Sequence, residues 1–275
     1  MRKLIQSLFL FVLLIPSGFL HEGAFATRTG AQESQQSAVC SSKPVLLDVF
    51  ASSKDGQQEG VPVWRFPGRE AFFFTSGMTI DADGAPNAYH PDDTGLDELS
   101  NAGMPGRWDG IITDRDGNPF IQEDTDPSPG YYVSCTSLAD ETKKFTDPSR
   151  YVDASAIPYI ALPEVIAERG GASLGDFALV INRRNGRSSF AIYADIGTMG
   201  EGSIALAESL GIWSNARAGG ASGGILYVVF PGSGNLHPRT RDEINAEGED
   251  ALSDLGGLNA VSACADPDTA ILGTK

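Results

Sequence analysis

The chain has 275 residues, with 20 Lys+Arg against 36 Asp+Glu and a formal net charge of −16. A hydrophobic share of 41% is enough for a core and excludes a wholly disordered chain. The shortage of Lys and Arg argues against nucleic-acid binding and against docking on anionic membranes; an acidic surface suits a cationic ligand, or serves solubility alone.

Residues 1–26 read as a secretory signal peptide. Arg2 and Lys3 precede an apolar run over Leu4–Leu14, Pro16 and Gly18 stop it, and Ala24-Phe25-Ala26 supplies small residues for cleavage. The run is shorter than the roughly 20 residues that span a bilayer, which sets the reading apart from an N-terminal anchor. Cleavage removes Arg2, Lys3 and Glu22 and leaves −17 on 249 residues. The mature protein is then expected to be soluble, exported to a periplasm or to the medium. Residues 27–42, rich in Ser, Gln and Thr, read as a flexible leader, and 43–275 as one domain.

From Lys43 onward short apolar runs alternate with turn residues. The strands expected are Val45–Phe50, Val61–Phe66, Ala71–Phe74, Tyr131–Cys135, Pro158–Leu162, Phe177–Ile181, Ser189–Ala194 and Ile225–Phe230. Arg183–Arg187 reads as a hairpin turn in which Asn185-Gly186 supplies positive φ angles. Helices are few. Thr94 can cap Gly95–Ala102, Pro163 can open a turn closed by Gly170, and Ser203 can cap Ile204–Leu210 with Gly211 just past its end. Arg239–Leu255 is a last helix, weakened by Gly248. The pattern is mainly β with a few short helices, and the strand spacing favours a compact barrel over a doubly wound sheet.

Export permits disulfides. The cysteines are Cys40, Cys135 and Cys264, an odd number that leaves one unpaired. Cys40 and Cys264 stand near the two ends of the mature chain, which favours a staple between them and a buried free thiol at Cys135. The alternative is that no disulfide forms.

Several common chemistries lack their residues. There is no Gly-x-Ser-x-Gly elbow, and His90 and His237 are the histidines left after export. No His-x-x-x-His or Cys-x-x-Cys spacing offers a zinc site, so neither metal nor other cofactor is expected. Carboxylate chemistry remains. Phe190–Ala194 is an apolar run that ends in Asp195; Gly197 and Gly200 follow, and Glu201 stands before the helix capped by Ser203. The Gly-flanked turn can bring Asp195 and Glu201 to the separation of about 6.5–9.5 Å that inverting glycosidases use. Asp195, desolvated at the end of its strand, would be the general acid. Glu201, favoured as an anion beside a helix N-terminus, would be the general base. The competing reading makes Asp195 a turn residue and Glu201 a helix-entry anion.

Two further clusters stand out. Asp81-Ala82-Asp83-Gly84, followed by Tyr89, resembles half a calcium loop, but Asp92 occupies the place of the closing Glu and no helix precedes it. It reads either as a turn whose carboxylates line a cleft or as a plain surface turn. Tyr151-Val152-Asp153 sets an aromatic beside an acid, either as a sugar contact or as a satisfied buried Asp.

At these residues the chain resembles the chitosanases of glycoside hydrolase family 75. The matching stretches are Ile80–Pro91, Pro129–Ser134, Tyr151–Tyr159, Gly175-Asp176, Tyr193–Asp195, Gly200–Ala207 and Tyr227–Gly234. The resemblance implies endo-hydrolysis of β-1,4-linked glucosamine in chitosan with inversion, and it makes Asp195 and Glu201 the catalytic pair. The loop between them is short against the family pattern, and Cys135 stands where Thr is expected. By analogy with other polysaccharide-cleaving enzymes, a double-psi β-barrel-like core is expected. Chitosan is a polycation, and Asp81, Asp83 and Asp153 suit its amines. Tyr89, Tyr151 and Trp213 suit its ring faces. A monomer is expected. The alternatives are a lytic transglycosylase working with one acid and a non-catalytic wall-polysaccharide binder.

Overall fold

The computed structural model describes residues 43–54 and 57–265; the predicted signal peptide, the leader and Cys40 lie outside them. Among the described residues ten strands are present: β1 (Val45–Lys54), β2 (Gln57–Arg65), β3 (Phe72–Asp81), β4 (Gly103–Met104), β5 (Arg107–Trp108), β6 (Tyr159–Leu162), β7 (Phe177–Asn182), β8 (Arg187–Ile196), β9 (Glu201–Ser203) and β10 (Ala221–Phe230). Four short helices accompany them: α1 (Glu164–Gly170), α2 (Ile204–Ser209), α3 (Arg241–Leu255) and α4 (Gly257–Cys264).

The sheet runs β1-β2-β3-β10-β7-β8-β6-β9, and β9 pairs back onto β3. Six strands, β3, β10, β7, β8, β6 and β9, therefore close into a barrel, with the β1–β2 hairpin extending from β3. The expected mainly β class with a barrel core is what forms, and six is the strand number of a double-psi barrel. Two of the barrel's pairings are parallel, β3–β9 and β6–β8, and closure removes the exposed edges that a flat sheet would leave.

The core follows from the strands' composition. Ile225–Phe230 of β10 is buried along its whole length, as is Phe177–Val180 of β7. Such uninterrupted apolar runs suit strands covered on both faces. Phe74 and Tyr227 face each other across the β3–β10 pairing and stack with ring centroids 4.7 Å apart.

Several expectations are corrected. β3 runs on to Asp81 because Met78 and Ile80 continue the inward alternation past Phe74. Tyr131–Cys135 forms no strand, only isolated bridges such as Ile121 to Tyr132 and Ile111 to Ser134. Gly95–Ala102 is no helix beyond a 3-10 turn at Leu99–Ala102. Its backbone is taken by other partners: Leu96 N donates to Asn87 O and Asp97 N to Ala88 O, while Arg217 ties down Asp93, Gly95 and Asp97. In the β7–β8 hairpin only Gly186 of the Asn185-Gly186 pair takes a positive φ, 75°.

Gly248, a cost to the helix itself, is what admits the close docking of α3. A Cβ there would lie 2.6 Å from the Phe190 ring, so glycine lets the helix approach β8. The helix starts in a Thr240/Glu243 capping box. Cys135 is a free thiol and Cys264 is disulfide-bonded; its expected partner, Cys40, lies outside the described residues.

Candidate active site

The site is built where β8, β6 and β9 lie side by side. Asp195, near the end of β8, is opposite Ala161 of β6, and Ala161 is opposite Glu201 of β9. Residues in register across neighbouring strands share a face, so both carboxyls stand on the same side with a small alanine between them. Two strand spacings put their Cα atoms roughly 9–10 Å apart. A bulge in β8 between its pairings with Ile160 and Ala161 sets this alignment. The turn over Ile196–Gly200 thus returns the chain to the far side of β6.

Glu201 is a strand residue and not at a helix mouth: β9 intervenes, and Ser203 caps α2. Its Oε2 accepts from Thr198 N at 2.7 Å. Gly197 makes the space it occupies, since a Cβ there would lie 2.1 Å from Oε2 and 3.0 Å from the Ala161 Cβ. Asp195 is 9% exposed. Its Oδ1 accepts from Ser137 N at 2.9 Å, from Ser137 Oγ at 2.6 Å and from Ile196 N at 2.9 Å.

Ser203 ties the frame together. It is fully buried; its Oγ accepts from Tyr159 N and Leu206 N and donates to Ile157 O. Ser203→Ala is expected to cost about 2–3 kcal/mol, the worth of a cap plus stranded buried groups. Urea unfolding should show this as a lower midpoint at unchanged m-value.

Asp81 and Asp83 join the same region. β3 pairs with β9 in parallel, Thr79 opposite Glu201 and Asp81 opposite Ser203. Asp81 Oδ1 accepts from Asp83 N at 2.9 Å, and Asp83 accepts from Tyr89 OH at 2.6 Å. The Tyr159 hydroxyl donates to Asp83 O at 3.0 Å.

Burial lifts all four carboxyls, and repulsion by neighbouring carboxylates adds to it at Asp81, Asp83 and Glu201. Burial first, then the charge of Asp195, pushes Asp81 up to about 8. Burial and Asp81 hold Asp83 well above the usual range. Burial raises Asp195 against its three donors, and burial together with Asp195 raises Glu201. For Glu201, desolvation outweighs the hydrogen bonds from Thr198, and the helix N-terminus expected to favour its anion is replaced by a strand.

These shifts have a consequence for stability. Asp81 binds its proton up to about pH 8 in the folded protein but only to its ordinary 3.8 when unfolded. Across that window the folded state holds the extra proton, so stability falls as pH rises through it. Asp81→Asn removes this contribution. Its unfolding midpoint should fall less than that of wild type between about pH 5 and pH 8; equal slopes would refute the shift.

Of the other candidates, Tyr89 joins the carboxyl group through Asp83 and the remainder do not contact it. The Tyr89 ring is only 2% exposed and backs Asp83, and Tyr151 is buried with its hydroxyl on Phe145 O. Neither offers a free ring face. Asp153 accepts from Ser155 N in a local turn; burial raises it, with no contribution from Asp195 or Glu201. Trp213, by contrast, is 65% exposed. Asp176 is structural, taking Ser173 N, Gly232 N and Gly234 N. Sequence reasoning did not single out Ser137 or Ala161, because a serine and an alanine acquire their roles only through register. Burial, with the charges of Asp83 and Asp195, raises the Cys135 thiol, so it stays protonated.

Residues 111–256 match a family model described as fungal chitosanase of glycosyl hydrolase group 75. The match takes in Asp195, Glu201, Ser137, Tyr151 and Asp153, and begins after Asp81, Asp83 and Tyr89. No curated protein matches the chain. With more than half of its length in that match, on a barrel that sets a pair of raised carboxyls astride one strand, the chain belongs to the chitosanases of glycoside hydrolase family 75.

Proposed function

We propose that the protein is an exported endo-chitosanase that cleaves β-1,4-glucosamine linkages with inversion, using Asp195 and Glu201 as its acid–base pair. The observation that carries this is the shared register of the two residues across Ala161. Carboxyls on a frame of that width leave room for a water beside the sugar, as the inverting route requires.

The roles follow from the hydrogen bonds. All three donors to Asp195 reach Oδ1, so its proton is carried by Oδ2. Asp195 gives that proton to the glycosidic oxygen as the bond to the anomeric carbon breaks. Glu201, with one backbone donor and partial exposure, takes a proton from the water that attacks the opposite face. The product ring is inverted, and solvent returns the proton from Glu201 to Asp195. A glucosamine ammonium entering beside Asp81 and Asp83 would favour their ionised forms and pair with them, offsetting the burial that holds their protons in the free protein. A net charge of −16 draws a polycation toward the site. The signal-like segment Arg2–Ala26 fits a substrate that is a polymer outside the cell.

The test is digestion of fully deacetylated chitosan followed by proton NMR. Oligomers whose new reducing ends appear first as the α-anomer are expected. First-formed β-anomer would replace inversion by retention, and anhydro-sugar ends would point to a transglycosylase.

A further inference from the structure

A hollow of about 570 Å³ lies away from the carboxyl group. Arg187, in its wall, opens β8, and Asp195 stands eight residues further along that strand, roughly 25 Å away. On the α2 side the wall is Glu208 and Ser209 at the helix C-terminal end, whereas Glu201 precedes that helix.

Two guanidiniums share this space, Arg187 and Arg241. Arg241 is held in place: Nε and Nη2 donate to Ala156 O at 3.3 and 3.1 Å, and Nη1 donates to Ser209 Oγ at 3.3 Å. Arg187 lies against Gly211, where a Cβ would come within 2.8 Å of its Nη1. Acids outnumber bases 36 to 20 in this chain, yet among the described residues neither arginine is ion-paired with one. The arginine ion pairs of the described residues belong to Arg65, Arg150, Arg169, Arg217 and Arg239, although Glu208 borders the same hollow. Ser188 and Asn245 add neutral donors on the wall, and Phe190 with Leu179 supplies an apolar floor. The close approach of Gly248 fixes the Phe190 ring.

We propose that this hollow binds an anionic sugar, its phosphate or carboxylate between Arg187 and Arg241 and its ring over Phe190. Guanidinium forks match the geometry of both oxyanions. The volume falls within the roughly 300–1,000 Å³ of small-molecule sites. The ligand's charge is opposite to that of the polycation taken at the carboxyl end, so the two sites do not compete. The proposal stands independently of the catalytic reading.

Calorimetric titration of the full chain with glucose 6-phosphate, glucuronate, inorganic phosphate and glucose tests it. Both anionic sugars should bind, inorganic phosphate more weakly, and glucose not at all. Arg187→Ala and Arg241→Gln should each weaken binding at least about tenfold, the worth of a charge-assisted bond. Chitosan hydrolysis by Arg187→Ala should be unchanged. Should Arg241→Gln fail to fold without its Ala156 anchor, Arg187→Ala, an exposed position, decides. No heat with either anionic sugar, glucose binding equally well, phosphate binding as tightly as glucose 6-phosphate, or an unaffected Arg187→Ala would each overturn the proposal.

Discussion

Glu201→Gln and Asp195→Asn are each expected to lower turnover on chitosan by at least about 100-fold, the usual worth of a general acid or base. Both replacements keep the side chain's shape and remove only its proton chemistry. In Asp195→Asn, the amide oxygen can still accept from Ser137 and Ile196, so the turn should survive. Circular dichroism and unfolding midpoints should therefore match wild type, or exceed it slightly, because a desolvated carboxyl has become a neutral amide. More than a tenth of wild-type turnover in either variant would discard that residue's role. Activity surviving in Glu201→Gln but not in Asp195→Asn would instead favour a single-acid mechanism, as in the lytic transglycosylases.

The second large effect is expected from a residue with no chemistry of its own. Gly197→Ala should reduce turnover by about 100-fold while leaving stability close to wild type. The added Cβ would occupy the position of Glu201 Oε2, 2.1 Å away, and would press on Ala161 at 3.0 Å. Gly197 does not need a positive φ, so alanine brings no backbone strain. The carboxylate is the group free to move. It must leave its Thr198 donor and, with it, its place across Ala161 from Asp195. Single-turnover measurement separates the outcomes: a slowed chemical step with chitosan affinity preserved is expected. Wild-type turnover would show that the position of Glu201 tolerates displacement.

How much of this was legible beforehand depended on the range of the interactions involved. The N-cap at Ser203, Gly211 past the end of α2, the hairpin at Arg183–Arg187 and the long apolar strands β7 and β10 are all expressed within a few neighbouring residues. Each was readable for that reason. The Gly95–Ala102 segment failed the same reading because its turn chemistry is overridden from outside: Arg217, more than a hundred residues away, holds the loop open. Gly248 reads in the sequence only as a propensity cost to its helix; that it also lets the helix approach the Phe190 ring is set across the interface. The sequence sets Tyr89 and Tyr151 near acids as sugar contacts, but not how far each ring is buried or that their hydroxyls donate to Asp83 and to Phe145 O; those depend on distant packing.

By itself the sequence determined the type of chemistry available, an acidic chain whose best catalytic candidates are carboxyls, and it named Asp195 and Glu201 through an apolar run, two glycines and a cap. It also determined the mainly β class. Only the tertiary structure decided that these two residues flank one alanine, that Asp81 and Asp83 come from another strand to crowd them, and that Ser137 holds Asp195. The reason is that strand order and register are set by pairings between distant segments and by barrel closure. A short strand such as Glu201–Ser203 has no period of its own to announce it; it exists because β3 and β6 leave a place between them.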